Sequence, residues 1–256
     1  MTRLKLVCGT VIVLLTLFGA TGIITGTPNN NSYCIGELRK TMKVQQSFIR
    51  HALASGKEWH MKYTLVANAL NPNNKQFQDV TSTGELKAST KMRYTKSGKT
   101  EVFMDEYDVF TVYADERVLM RTRPPKGSLA IKDEFFESLM QDSIFKTYQL
   151  ISCNNVPMKS AGDSVTVRYE LAAKNSRKAP YTNIVLYVVP TTMFIKKVDV
   201  TFNQLMSKSI HSYSLTINER NELKAEPGLD HVKDHFFNKS GRLKYPYNNY
   251  EYKEYK

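Results

Sequence analysis

Tryptophan occurs once and cysteine three times in this chain of 256 residues. Cys8 lies in an apolar N-terminal stretch, which leaves Cys34 and Cys153 for the body of the protein. Two cysteines cannot build a disulfide-dense scaffold, so the chain must fold on a hydrophobic core. Neither belongs to a Cys-x-x-Cys pair or neighbours a histidine, so nothing local activates a thiol. The two either pair in an oxidising compartment or stay as independent thiols; two residues carry no spacing pattern that decides. Also absent are a Gly-x-Ser-x-Gly elbow, a phosphate-cradling glycine loop and a dinucleotide fingerprint. Acidic residues are scarce: Asp+Glu number 24 against Lys+Arg 36, a formal charge of +12. That excess favours polyanions or anionic lipid surfaces. The cations are spread along alternating stretches rather than striped on one helix among aromatics, so nucleic acid is not an expected partner.

Little of the sequence suggests catalysis or a metal. His231 and His235 are four apart, but Val232 and Lys233 stand where a zinc-protease motif needs its Glu, and no third ligand is evident. Glu101, Asp105, Glu106 and Asp108 cluster, as charged residues between strands often do. The expectation is no enzyme, no cofactor and no metal.

What is present begins with an export-like N-terminus. Arg3 and Lys5 precede an almost wholly apolar stretch, residues 6–26, with small residues Ala20 and Gly22 near its end. It reads as a cleaved signal or, at close to the roughly 20 residues a bilayer requires, as an uncleaved inner-membrane anchor. Residues 1–26 are therefore assigned to the signal or anchor, and both readings place the rest outside the cytoplasm. Residues 27–34 are polar and turn-rich, a linker. From Ile35, helical spacing of Ile35, Leu38, Met42, Ile49 and Leu53 predicts an amphipathic helix that stops at Ser55-Gly56.

Strand patterns follow. Residues 58–70 place Trp59, Met61, Tyr63 and Leu65 on one face. Residues 84–123 read as four strands in series: Leu86 to Tyr94, 100–105, 107–114 and 117–123. Their short connections allow only antiparallel neighbours, so this is a meander. Residues 131–141 predict an inserted amphipathic helix. Further strands are predicted at 145–152, 164–172, 183–189, 193–205 and 210–218, then a short helix over 229–237. The basic, Tyr-rich tail from Asn238 reads as disordered, so residues 223–256 are assigned to a short helix and a disordered tail. The fold class is α+β: a strongly curved antiparallel sheet, a half-barrel, with the N-terminal and inserted helices over its concave face.

Three short elements carry a resemblance: Gly84-Glu85-Leu86, Met92-Arg93-Tyr94, and the run from Asp108 to Asp115 around Tyr113. With the late strands at Ile184, Val198 and Val200, residues 35–222 resemble the periplasmic outer-membrane lipoprotein carrier family (LolA, LolB and related sensor domains). Tyr94 stands where that family usually has Trp, and Glu106-Tyr107 where it has Asp-Gly. The resemblance implies a half-barrel that takes acyl chains, lined by Tyr63, Leu65, Leu86, Met92, Val109, Val118 and Met120, with Arg93 at the family's lid-holding arginine. It implies a lipid or lipidated protein as ligand and a periplasmic location; an envelope protein partner and transient membrane-surface contact fit the charge. The competing expectation is an envelope structural or interaction module whose core is filled by its own helices.

Overall fold

The computed structural model describes residues 31–124, 144–157, 165–224 and 231–255. The predicted signal or anchor and the predicted inserted helix at 131–141 lie outside the described residues. Helix α1 (Asn31–Ala54) is followed by strands β1 (Lys57–Leu70), β2 (Phe77–Ala88), β3 (Arg93–Ser97), β4 (Thr100–Met104), β5 (Val109–Tyr113) and β6 (Val118–Thr122). A short helix α2 (Ile144–Thr147) leads into β7 (Tyr148–Pro157), β8 (Val165–Ala173), β9 (Tyr181–Val189), β10 (Phe194–Phe202) and β11 (Ile210–Lys224). Helix α3 (Lys233–Phe236) and strand β12 (Glu251–Glu254) complete the described chain.

All the strands belong to one 12-stranded sheet in the order β12-β6-β5-β4-β3-β2-β1-β11-β10-β9-β8-β7. Every described pairing is antiparallel except β12 on β6. The sheet is open and curved, as large twisted sheets become. Two meanders, β1–β6 and β7–β11, are joined where β11 returns to pair with β1.

Helix α1 lies diagonally over the inner face. Its 24 residues span about 36 Å, enough to cross the five strand spacings, about 24 Å, from β7 to β1. At its start Cys34 is disulfide-bonded to Cys153 of β7 across a sequence separation of 119, which settles the pairing left open by the sequence. In its middle, Leu38 and Met42 are buried on Tyr148, Leu171, Tyr181, Leu186 and Val200. At its end, Ala52 packs with Trp59, Met61, Leu65 and Leu86.

The β3–β6 half is covered on its other face. There Phe103, Phe110, Val112 and Leu119 bury Val232 and Phe236 from the C-terminal segment, with Phe237, Leu243, Tyr247 and Tyr250 packed around them. Phe236 stacks on Phe110 at 4.8 Å and meets Phe103 edge-on at 5.1 Å. Asp105, itself buried, clamps this segment. Its carboxylate accepts the Tyr107 and Asp108 amides at 2.8 Å and the Val232 amide at 2.6 Å.

Three sequence expectations need correction. The C-terminal tail is not disordered: its rings bury against Phe103 and Phe110, and Glu251–Glu254 adds a strand to the sheet edge. Few aliphatics made it read as unable to pack, but aromatic rings supplied the apolar area. Residues 31–34 are helical rather than linker. The predicted strand from Leu86 to Tyr94 is two strands with a turn between them. The Ser89 hydroxyl accepts the Met92 amide at 3.0 Å and the Ser89 amide donates to the Met92 carbonyl at 2.9 Å, a local closure that outcompetes strand continuation.

Two predictions follow from the α1 contacts. Cys153→Ser should lower unfolding stability by up to about 5 kcal/mol, the chain-entropy value for so long a loop; denaturant titration with and without reductant reads it, and the reduced parent should match the variant. Under α1, burial pushes the Tyr148 phenol up to about 12 and raises those of Tyr181 and Tyr213 further. Unfolded phenols ionise near 10, so between about pH 10 and 12 the unfolded chain releases protons that the folded one keeps. Stability should fall as pH rises through that window, and Tyr148→Phe should fall less steeply, by up to roughly 2 kcal/mol at its upper end.

Candidate functional site

Residues directly opposed in an antiparallel ladder point to the same face. Met61 opposes Leu86, Leu86 opposes Thr95, Ala88 opposes Arg93, and Arg93 opposes Met104. Met104 opposes Val109, Thr111 opposes Met120, and Tyr113 opposes Val118. Tyr63, Leu65, Leu86, Arg93, Val109, Val118 and Met120 therefore share the inner face, on which α1 lies. Met92 does not: it sits in the Ser89–Met92 turn and packs against the aromatic cluster of the other face.

The structure divides these residues in two. Tyr63, Leu65 and Leu86 are buried core beneath the end of α1. Tyr63 also lies across Gly84, where any added Cβ would overlap its ring, and its hydroxyl donates to the Lys96 carbonyl at 3.3 Å. Glycine is required there by that close approach. On the far half, Val109, Val118 and Met120 are only half-buried, as are Val102 and Met104 between them. Arg93 sits at the boundary with 8% of its surface exposed, and burial pulls its guanidinium pKa down.

A second inward cation escaped the sequence reading. Alternation through Tyr213, Leu215 and Ile217 of β11 puts residues 219 and 221 inward and Arg220 outward. The structure has a register shift between Lys62 and Tyr63, where Lys62 opposes Glu219 but Tyr63 opposes Ile217. One extra residue inverts the alternation, so Arg220 opposes Met61 on the inner face. It is held between Phe194 and Phe48, 3.1 Å and 4.6 Å from their ring centroids. It donates to Gln45 Oε1 of α1, and Gln45 Nε2 donates to the Met193 carbonyl at 3.0 Å. Burial lowers the Arg220 pKa to about 10, and no carboxylate pairs with it among the described residues. Arg220 thereby joins α1 to the β9–β10 turn.

The other face over β1–β4 is polar. Glu219, Lys62, Glu85, Lys96 and Glu101 oppose one another in a row across five strands. Lys62–Glu219 closes at 2.6 Å, Lys96–Glu101 at 2.8 Å, and Glu85 takes His60 at 2.8 Å. Alternating charge of this kind suits a solvated face. Of the acidic cluster, Glu101 belongs to this row, Asp105 clamps the C-terminal segment, and Asp108 holds Arg121 at 2.7 Å. Arg121 in turn reaches Glu254 of β12 at 3.3 Å. His231 and His235 face different rings, Tyr107 at 5.2 Å and Phe103 at 4.7 Å. Among the described residues, no group of three or more His, Cys, Asp or Glu could hold a metal ion, and no helix is long and apolar enough to cross a membrane.

No family model matches this chain, and no curated protein matches it. Among solved structures, the Pseudomonas aeruginosa MucA/MucB complex is similar at 12% identity and a TM-score of 0.39, over 79% of this chain and 60% of that one. A DUF1329 family protein from Desulfovibrio piger shows 10% identity and a TM-score of 0.35, over 83% and 99%. A domain from Vibrio parahaemolyticus named for outer membrane lipoprotein sorting shows 10% identity and a TM-score of 0.32, over 77% and 98%. Likeness at this level transfers no function.

Proposed function

We propose that the protein is a non-enzymatic, periplasmic carrier or binding protein for the acyl chains of lipids or lipoproteins. The observation that carries the reading is the half-buried apolar strip of Val102, Met104, Val109, Val118 and Met120 on the inner face, beside a half that α1 buries. A flexible acyl chain suits such a strip: it is linear and apolar, and Met side chains adapt to varied apolar shapes. Arg93 at the boundary places a cation where a carboxylate or phosphate head would end. The export-like N-terminus supports the location. Against catalysis stands the engagement of Glu101, Asp105 and Asp108 in structural contacts.

The second reading, an envelope interaction module with a filled core, is favoured by one observation. Leu38 and Met42 of α1 are buried at 0% and 3% exposure, so that half of the face is already occupied by the chain itself.

Native mass spectrometry of the gently purified exported protein separates the two. The carrier reading expects co-purifying phospholipid or acylated peptide, and saturable uptake of a fluorescent fatty acid. Met120→Glu or Val109→Glu puts a charge on the strip and should weaken that uptake about tenfold or more, with the circular dichroism of the parent retained. A bare mass with no uptake would overturn the carrier reading and leave the interaction module.

A further inference from the structure

Three turns meet at one end of the sheet. Asn203, buried at 4% exposure, ties the β10–β11 turn to the β8–β9 turn. Its side-chain amide donates to the Ser176 and Ala179 carbonyls, and its backbone amide to the Pro180 carbonyl at 2.9 Å. The β1–β2 turn joins through the Leu70 amide, which donates to the Ser209 carbonyl at 2.8 Å, and through Phe77, whose ring lies 5.9 Å from that of His211. Helix α2 joins through Lys174, whose ammonium donates to the Phe145 carbonyl at 2.7 Å.

Asn203 also shapes the tip. Its side-chain oxygen accepts the Leu205 amide at 3.0 Å, and its carbonyl accepts the Met206 and Ser207 amides, each at 2.9 Å. The tip is thus hydrogen-bonded from within, yet it projects two large apolar side chains: Leu205 is 75% and Met206 55% exposed, with Phe77 at 43% on the neighbouring turn. On the same turns and on α2, Lys75, Lys146, Lys174, Arg177, Lys178 and Lys208 are all exposed. No Asp or Glu occurs in residues 70–78, 144–148, 173–181 or 203–211. The nearest in sequence are Asp79, engaged by the Asn68 amide at 2.8 Å, Glu170, paired with Arg168 at 2.8 Å, and Asp142, which lies outside the described residues.

An apolar tip on an end of the sheet whose described turns carry cations and no carboxylate matches one surface chemically. Anionic lipid headgroups supply the charge, and the acyl boundary beneath them takes Leu and Met. The charge row on the outer face, from Glu219 to Glu101, is self-neutralised and has no such match. We infer that this end of the sheet docks on an anionic lipid bilayer, with Leu205 and Met206 entering the headgroup–acyl boundary. The inference rests on the envelope reading above only for the presence of a membrane.

The test uses the full chain carrying Leu205→Trp and vesicles with brominated acyl chains, made of phosphatidylcholine alone or of equal parts phosphatidylcholine and phosphatidylglycerol. Bromine quenches by contact, so the signal is local to position 205 and indifferent to anchoring through residues 6–26. The native Trp59, buried at 4% exposure, gives the background in the parent. The expected result is a blue shift and quenching with the phosphatidylglycerol vesicles, lost in high salt. Adding Arg177→Gln, Lys178→Gln and Lys208→Gln should weaken partitioning about fivefold per cation. Quenching no greater than the parent's overturns the inference, as does equal quenching by both vesicle types with no salt dependence. Fatty-acid uptake reads the inner face separately: uptake without quenching refutes the docking alone, and quenching without uptake refutes the carrier reading alone.

Discussion

The packing of α1 across the inner face is the constraint on which the rest depends. It is fixed at one end by Cys34–Cys153, in the middle by Gln45 and Arg220, and at the other end by Ala52 on Trp59. Each contact engages a different strand, so the helix joins the two meanders into one body. A single helix, about 10 Å wide, cannot also cover β3–β6. That half is stabilised from the opposite side, where the C-terminal segment buries Phe236 on Phe103 and Phe110. The sheet therefore has its cover on one face at one end and on the other face at the other. What this leaves half-buried, among the described residues, is the inner face of β4–β6, where the proposed site lies.

The sequence showed the strands through their alternation and the helix through its spacing, because both periods report burial directly. It placed Tyr63, Leu65, Leu86, Val109, Val118 and Met120 among the apolar positions of strands, and the ladder puts them on one face, which alternation alone left open. What alternation could not tell is which of them a helix would cover. Leu65 and Met120 look alike in pattern and differ only in what packs above them. Two misreadings and one omission have local causes. The Ser89 turn is a side-chain hydrogen bond hidden in an otherwise regular pattern. Arg220 faces inward because of one extra residue in β11, a register event that depends on the partner strand. The tail packs through aromatic rings that a composition rule counts as too few aliphatics.

The two ends of the molecule then have distinct physical characters. The inner strip is apolar, half-buried and bordered by Arg93; the turn cluster around Asn203 is exposed, basic and tipped by Leu205 and Met206. In the carrier role proposed above, the first would shelter an acyl chain and the second would approach the membrane that supplies or receives it. Asp105 holds the turn between β4 and β5 and the C-terminal segment in place, and Asp108 holds Arg121.

The most direct test of the central claim, that α1 closes one half of the inner face and leaves the other for a ligand, is methyl-resolved NMR of the protein titrated with a fatty acid. Shifts are expected at Val102, Met104, Val109, Val118 and Met120, with Leu38, Met42, Leu65 and Leu86 unmoved. Shifts centred on Leu38, Met42 and Leu65 would show that the helix yields to the ligand and that the division is wrong, and no shift at any of these methyls would remove the site altogether.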